Sequence, residues 1–277
     1  MFEEKSYSTR CGNINYWVSK KGNLNLTLIF LPGISMSHKM FKNQLEYFEG
    51  KYNILTWDAP ANASSYPFGL NFNLKDKAVW LDEIITKEEL PNPIIIGHSM
   101  GGYVTQAYTQ CFPDKLKGFV SLASSPISKK YYSSFELFTS NWLSGPLMYL
   151  TKWMAWETIV NSGIENVAFS EESKQVVREN FKYYEGDRDR YYDLMTQTLK
   201  INNEAISADL PYEFKCPVLL VYGDKDKTVN LIPKNKSWSE NCGYKLEVIE
   251  NAGHIITYDN PEKINSLIEN FVQTIKI

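Results

Sequence analysis

One serine set between glycines and three histidines bound the chemistry open to this 277-residue chain. Ser99 sits in Gly97-His98-Ser99-Met100-Gly101-Gly102, directly between a buried strand-like run and a helical one. A turn this tight holds its central residue in strained backbone geometry, and a side chain at either flanking glycine would collide. Ser99 would then stand exposed at the tip. A serine hydroxyl is a poor nucleophile at neutral pH, so it needs a base, and the base needs a partner that fixes its tautomer and stabilises its charged form. The chemistry this implies is acyl transfer.

Three histidines are available as that base. His98 neighbours the serine but points away along the turn, and His38 follows the first sheet loop at a helix start. His254, in Asn251-Ala252-Gly253-His254, follows the last predicted strand and so emerges at the sheet edge that carries Ser99, where ligand chemistry collects in a parallel sheet. His254 is therefore the predicted base. For the acid, the strand 217–222 runs into Gly223-Asp224-Lys225-Asp226, and position alone leaves both aspartates open. The other natural place, after the strand ending near Ala123, holds Ser124-Ser125-Pro126 and no carboxylate. An acyl-transfer site also needs pre-oriented donors for the oxyanion. The Met100 N–H at the helix start is one, and the Ile34 N–H in Leu31-Pro32-Gly33-Ile34 is the predicted second.

The elements that must position these groups follow from periodicity. Ile14, Tyr16 and Val18 alternate with polar neighbours and, with a turn at Lys21-Gly22-Asn23, read as a hairpin leading into the buried strand 24–31. Further strands are predicted at 52–58, 93–97, 118–123, 217–222 and 244–249. Between them, Leu74, Ala78, Leu81 and Ile85 form a helical stripe with Asn73 as its cap, and Val104, Ala107, Tyr108 and Cys111 form another. The last helix presents Ile264, Leu267, Ile268 and Phe271 behind Asn260 and Pro261. Strands alternating with helices imply an α/β fold with a mostly parallel sheet covered on both faces. The helical block 127–210 breaks the alternation and is expected to be a cap inserted over the carboxyl edge, leaving 1–126 and 211–277 as the core.

Composition narrows the setting. With 43% hydrophobic, 22% charged and 14% aromatic residues, the chain can bury enough apolar surface to fold. The 29 basic residues against 32 acidic ones, net −3, give no positive field for a phosphate backbone, so no nucleic-acid partner is expected. The start, Met1-Phe2-Glu3-Glu4-Lys5-Ser6, is charged where a secretory leader would be apolar, and no run approaches the ~18–20 apolar residues of a membrane span. A cytoplasmic protein is expected. Cys11, Cys111, Cys216 and Cys242 lack CxxC pairing and should be reduced thiols, and the histidines have no companion cysteines for zinc.

Nucleophile, acid and histidine in that order resemble the α/β-hydrolase superfamily, particularly its serine-nucleophile branch with a helical cap after the sixth strand. The resemblance spans nearly the whole chain. It implies a catalytic triad of Ser99, Asp226 and His254, favouring Asp226 over Asp224 because it stands three places after the glycine of the family's G-x-x-D. Two departures stand out. Pro32-Gly33 replaces the His-Gly common in the oxyanion loop, and alanines replace both glycines of D-x-P-G-x-G-x-S in Asp58-Ala59-Pro60-Ala61-Asn62-Ala63-Ser64-Ser65. A serine nucleophile argues against the aspartate-based dehalogenases and epoxide hydrolases of the same fold.

The resemblance implies hydrolysis without metal or organic cofactor, and the apolar cap sequence points to a small-molecule ester of a small-to-medium lipophilic acid. Trp142, Leu147, Trp153 and Trp156 are the predicted pocket residues, within an apolar stretch that includes Leu143, Met148, Leu150 and Met154. The charged segment 171–190 reads as a solvated helix face. A thioesterase is compatible with the same triad, and so is a carbon–carbon bond hydrolase or lyase, which would want a cation such as Arg178, Arg188 or Arg190 near the site. A ligand receptor on this scaffold is the reading from another class.

Overall fold

The computed structural model describes residues 2–22, 25–142, 144–228 and 230–276. Its strands are β1 (Glu3–Thr9), β2 (Gly12–Ser19), β3 (Thr27–Leu31), β4 (Asn53–Trp57), β5 (Pro93–His98), β6 (Gly118–Leu122), β7 (Val218–Gly223) and β8 (Lys245–Ile249). They form one sheet ordered β1-β2-β4-β3-β5-β6-β7-β8. The β1–β2 and β2–β4 pairs are antiparallel, and every pair from β4 through β3 to β8 is parallel.

The helices are α1 (Lys42–Phe48), α2 (Leu74–Lys87), α3 (Met100–Cys111), α4 (Ser134–Trp142), α5 (Ser144–Thr151), α6 (Trp156–Val167), α7 (Glu171–Phe181), α8 (Arg188–Ala208), α9 (Leu231–Cys242), α10 (Ile256–Asp259) and α11 (Pro261–Gln273). The continuous apolar run of β5 is explained by burial on two sides. Ile95 packs with α2 and α3 through Leu81, Ile84, Val104 and Tyr108, while Ile94 and Ile96 face the layer of α1 and α11 through Leu45, Phe48, Ile264 and Ile268. The caps read from sequence form as expected. Asn73 accepts the Asp76 N–H and Asp76 returns a bond to the Asn73 N–H, while Asn260 accepts the Lys263 N–H with Pro261 in the first turn.

Two sequence expectations change here. The N-terminal hairpin joins β1 to β2 through residues 10–11, and β2 then pairs with β4, so the segment around 21–22 is a connection between non-neighbouring strands. β1 carries mostly polar, half-exposed side chains and gives no apolar signal. The charged segment 171–190 is also more than a solvated face. Val176, Val177, Phe181 and Tyr184 are buried in the two cores, while Glu171, Glu172, Arg178, Glu179 and Lys182 are exposed.

A common direction for β3 to β8 gathers the loops after β3, β4, β5, β6, β7 and β8 at one carboxyl edge. Helices α4 to α8 are inserted between β6 and β7. None of the helices among the described residues is long and apolar enough to cross a membrane.

Candidate active site

Ser99 occupies the turn between β5 and α3 with φ 48° and ψ −112°, a left-handed conformation that a serine adopts only where its surroundings enforce it. The enforcement is close packing. A Cβ on Gly101 would stand 2.1 Å from the Leu31 carbonyl oxygen, and one on Gly97 would stand 2.7 Å from the Gly101 backbone. The helix start is thus pressed onto the end of β3. The Ser99 N–H donates to the Leu122 carbonyl at 2.9 Å, and the Ser124 hydroxyl donates to the Ser99 carbonyl at 2.7 Å, fixing the turn from β6.

The β7 and β8 loops lie side by side because Gly223 pairs with Ile249 at the ends of those strands. His254 Nδ1 is 2.7 Å from Asp226 Oδ2, and both residues are buried. Asp226 Oδ1 accepts the Thr228 N–H at 2.8 Å, and the Thr228 hydroxyl lies 3.1 Å from His254 Nδ1. Burial alone would raise the Asp226 carboxyl, but the His254 ring and the Thr228 donors outweigh it and hold the pKa below the ordinary 3.8. Asp224 plays a different part. It pairs with Lys225 at 2.9 Å and accepts the Ala252 N–H at 3.3 Å, so it braces the loop that carries His254. The choice that position left open is therefore resolved by contact: Asp226 is the aspartate on the imidazole.

His98 does not point idly away from the site. Its Nε2–H donates to the His254 carbonyl at 2.8 Å, and the two rings meet edge to face at 4.8 Å. Its other face lies under the loop after β3, since a Cβ on Gly33 would stand 2.9 Å from His98 Nδ1. That nitrogen is buried and has no hydrogen-bond partner among the described residues. Burial, helped by the neighbouring His254, pushes the His98 pKa from 6.5 to about 3, so the ring is neutral at any working pH.

The loop after β3 holds five of its six N–H groups from 33 to 38 in bonds. Gly33 donates to Met40 Sδ, Ser35 to Asn62 Oδ1, Met36 to the Gly33 carbonyl, Ser37 to Asn180 Oδ1 and His38 to Asp58 Oδ1. Among the described residues, the Ile34 N–H has no acceptor in the protein, and neither has the Met100 N–H. The alanines in the loop after β4 take the conformation that glycines would, with φ 69° at Ala61 and 41° at Ala63. Asp58 secures that loop by accepting the Ser64 N–H and hydroxyl on Oδ2 and the His38 N–H on Oδ1.

Ser99, His254, Thr228, His98 and Ile34 all line one cavity of about 280 Å³. Its other walls are Gly33, Ser35, Met36 and Ile255 from the core and Gly163, Asn166, Val167, Val177, Phe181, Tyr191 and Met195 from α6 to α8. No Lys, Arg, Asp or Glu is among these lining residues. The pocket residues expected from the apolar stretch are placed otherwise. Trp142 and Trp153 are 70% and 78% exposed and do not line the cavity. Trp156 stands one layer back, with its ring 5.8 Å from Phe181 and 5.6 Å from Tyr191. The Leu147 side chain and Leu143 lie outside the described residues. Val177 and Phe181, spaced i and i+4 inside the charged segment, were the sequence signal for the true wall.

A sheet-edge site of this build places the chain among α/β proteins with a sharp strand-to-helix turn at the carboxyl edge of a parallel sheet. The family model of the alpha/beta hydrolase fold matches residues 27–261, and the chain belongs to that family. It is 24% identical over 252 residues to (E)-2-((N-methylformamido)methylene)succinate hydrolase of Acinetobacter baylyi, covering 89% of this chain and 90% of that one. Among solved structures it resembles a bromoperoxidase from Bacillus anthracis, with a TM-score of 0.72, 16% identity and coverage of 98% and 100%. It also resembles carboxylesterase CesB from Bacillus subtilis, with a TM-score of 0.66, 16% identity and coverage of 98% and 92%.

Two outcomes follow from these contacts. Asp226→Asn should lower any Ser99-dependent turnover by about 10³–10⁴-fold through the wrong imidazole tautomer, whereas Asp224→Asn should stay within about tenfold, as steady-state kinetics will show. Because folding depresses the His98 pKa, the unfolded chain binds the extra proton between pH 6.5 and about 3. Stability from this residue is complete above 6.5 and drains away as pH falls through that window, by on the order of a few kcal/mol. Urea unfolding of wild type and His98→Asn at pH 7 and pH 5 should show the smaller drop in the variant.

Proposed function

We propose that the chain is a serine hydrolase that cleaves carboxylic esters of small-to-medium lipophilic acids through an acyl-enzyme. The observation that carries this reading is the meeting of Ser99 and an Asp226-bound His254 on one uncharged cavity. With Nδ1 engaged by Asp226, His254 keeps Nε2 for the serine. Ser99 Oγ attacks the ester carbonyl as its proton passes to Nε2, and the Ile34 and Met100 N–H groups receive the oxyanion. Nε2 then returns the proton to the departing alcohol. Water, deprotonated by the same nitrogen, attacks the acyl-enzyme and frees the acid and Ser99.

The walls support this substrate class. Ile34, Met36, Val167, Val177, Phe181, Met195 and Ile255 offer apolar surface, and the absence of charge among the lining residues disfavours a carboxylate-bearing acid. None of the three arginines that a carbon–carbon lyase reading would recruit lines the cavity. Arg178 is exposed, Arg188 donates to the Met154 carbonyl, and Arg190 donates to the Tyr183 and Ala63 carbonyls, stacked over Tyr66. Helices α4 to α8 serve in this reading as the cap, residues 127–210, over a core of 1–126 and 211–277. Its support is that α6 to α8 supply about half of the cavity wall.

A fluorophosphonate reagent should label the wild-type protein, and Ser99→Ala should abolish labelling. With p-nitrophenyl esters, kcat/KM should rise by up to about fourfold per added methylene, the equivalent of about 0.8 kcal/mol of buried CH₂, until the cavity is full and then fall. Strong labelling without turnover of any ester would overturn the ester reading and leave the thioester, lyase or receptor alternatives.

A further inference from the structure

We infer that Asn62 positions the Ile34 N–H for the oxyanion, with Asn180 as a second clamp on the same loop; the inference rests on the ester-hydrolase reading above. Pro32-Gly33 leaves the loop without a side chain of its own to brace it. Asn62, almost fully buried, accepts the Ser35 N–H at 2.8 Å and anchors its own amide on the Pro60 carbonyl at 3.1 Å. Ser35 sits at φ 58°, a left-handed conformation that a serine does not hold unaided. The bond from Asn62 therefore fixes the peptide that follows Ile34 in a strained state.

Two residues further on, Asn180 at the end of α7 accepts the Ser37 N–H at 2.6 Å, and its amide donates to the Val176 carbonyl at 2.7 Å. Ser37 and Asn180 are both buried. With Ser35 and Ser37 each held by an asparagine and His38 by Asp58, the backbone around Ile34 has little freedom to turn its N–H away. That N–H lies in a loop that lines the cavity with Ser99. Neither asparagine lines the cavity, so both act through the loop and are positioning residues.

A donor that must wait at the place where negative charge develops helps the transition state more than bound substrate. Loss of the Asn62 brace should therefore appear in kcat and leave KM alone. Competent sites are counted by fluorophosphonate titration, and kcat per titrated site is measured with the best p-nitrophenyl ester for wild type, Asn62→Ala, Asn62→Leu and Asn180→Ala. Asn62→Ala and Asn62→Leu should each lose about 10–100-fold in kcat per site with KM within about twofold, and Asn180→Ala should lose less in the same sense. Asn62→Leu retains the buried volume, so it reports on the lost acceptor if the alanine variant does not fold. A merely structural role would lower the number of titrated sites and the unfolding midpoint but leave kcat per site unchanged. An active wild type whose two Asn62 variants stay within twofold per site overturns the clamp alone. A wild type in which Ser99 neither labels nor turns over any ester removes the functional reading and the clamp with it.

Discussion

The 2.7 Å hydrogen bond between His254 and Asp226 sets the terms for the rest of the site. It joins two loops that leave adjacent parallel strands at paired positions, Gly223 and Ile249. The bond commits Nδ1, and Nε2 becomes the only imidazole nitrogen free for proton transfer. A buried carboxylate would be costly without partners, and the Thr228 N–H together with the imidazole supplies them. Every other feature of the site can be read as holding something else in register with that pair.

The helical insertion takes part in this holding as well as in covering the cavity. The Val167 carbonyl at the end of α6 accepts the His254 N–H at 2.8 Å and the Ile255 N–H at 3.2 Å. Asn180 at the end of α7 reaches the loop after β3. The two loops that bear His254 and Ile34 are thus both bonded to helix ends that follow one another in the chain. Any movement of α6 and α7 must carry or break these bonds, which ties the position of that cavity wall to the two loops.

What was legible in the sequence was local. Gly97 to Gly102 announced its turn because steric demands within six residues leave few alternatives, and His254 followed from strand order. Asp226 and Asp224 share an edge, and only the contact with the ring separates them. Asn62 and Asn180 were silent, because their bonds to Ser35 and Ser37 span 27 and 143 positions and no local pattern marks them. Trp142 and Trp153 misled for a related reason: an apolar stretch says that surface must be covered, but the face that each side chain takes is decided by packing. β1 was missed because an edge strand with polar, half-exposed side chains resembles a loop in composition.

The backbone around the site is strained in a consistent place. Ser35, Ala61, Ala63, Ser99, Ala123 and Asn251 all have φ between 41° and 69°, and all lie in loops at the carboxyl ends of parallel strands. Each such residue costs on the order of 1–3 kcal/mol and persists only where neighbours over-determine it. Those neighbours can be named: Leu122 and Ser124 for Ser99, Asn62 for Ser35, and Asp58 for the loop that holds Ala61 and Ala63. The side chains that hold the strain are mostly asparagine, aspartate and serine, each bonded to backbone. Glycines at 61 and 63 would relieve local strain but would leave the loop more freedom when unfolded and less fixed when folded. Alanine at these positions therefore favours a loop set in one conformation, and that loop is the one that carries Asn62.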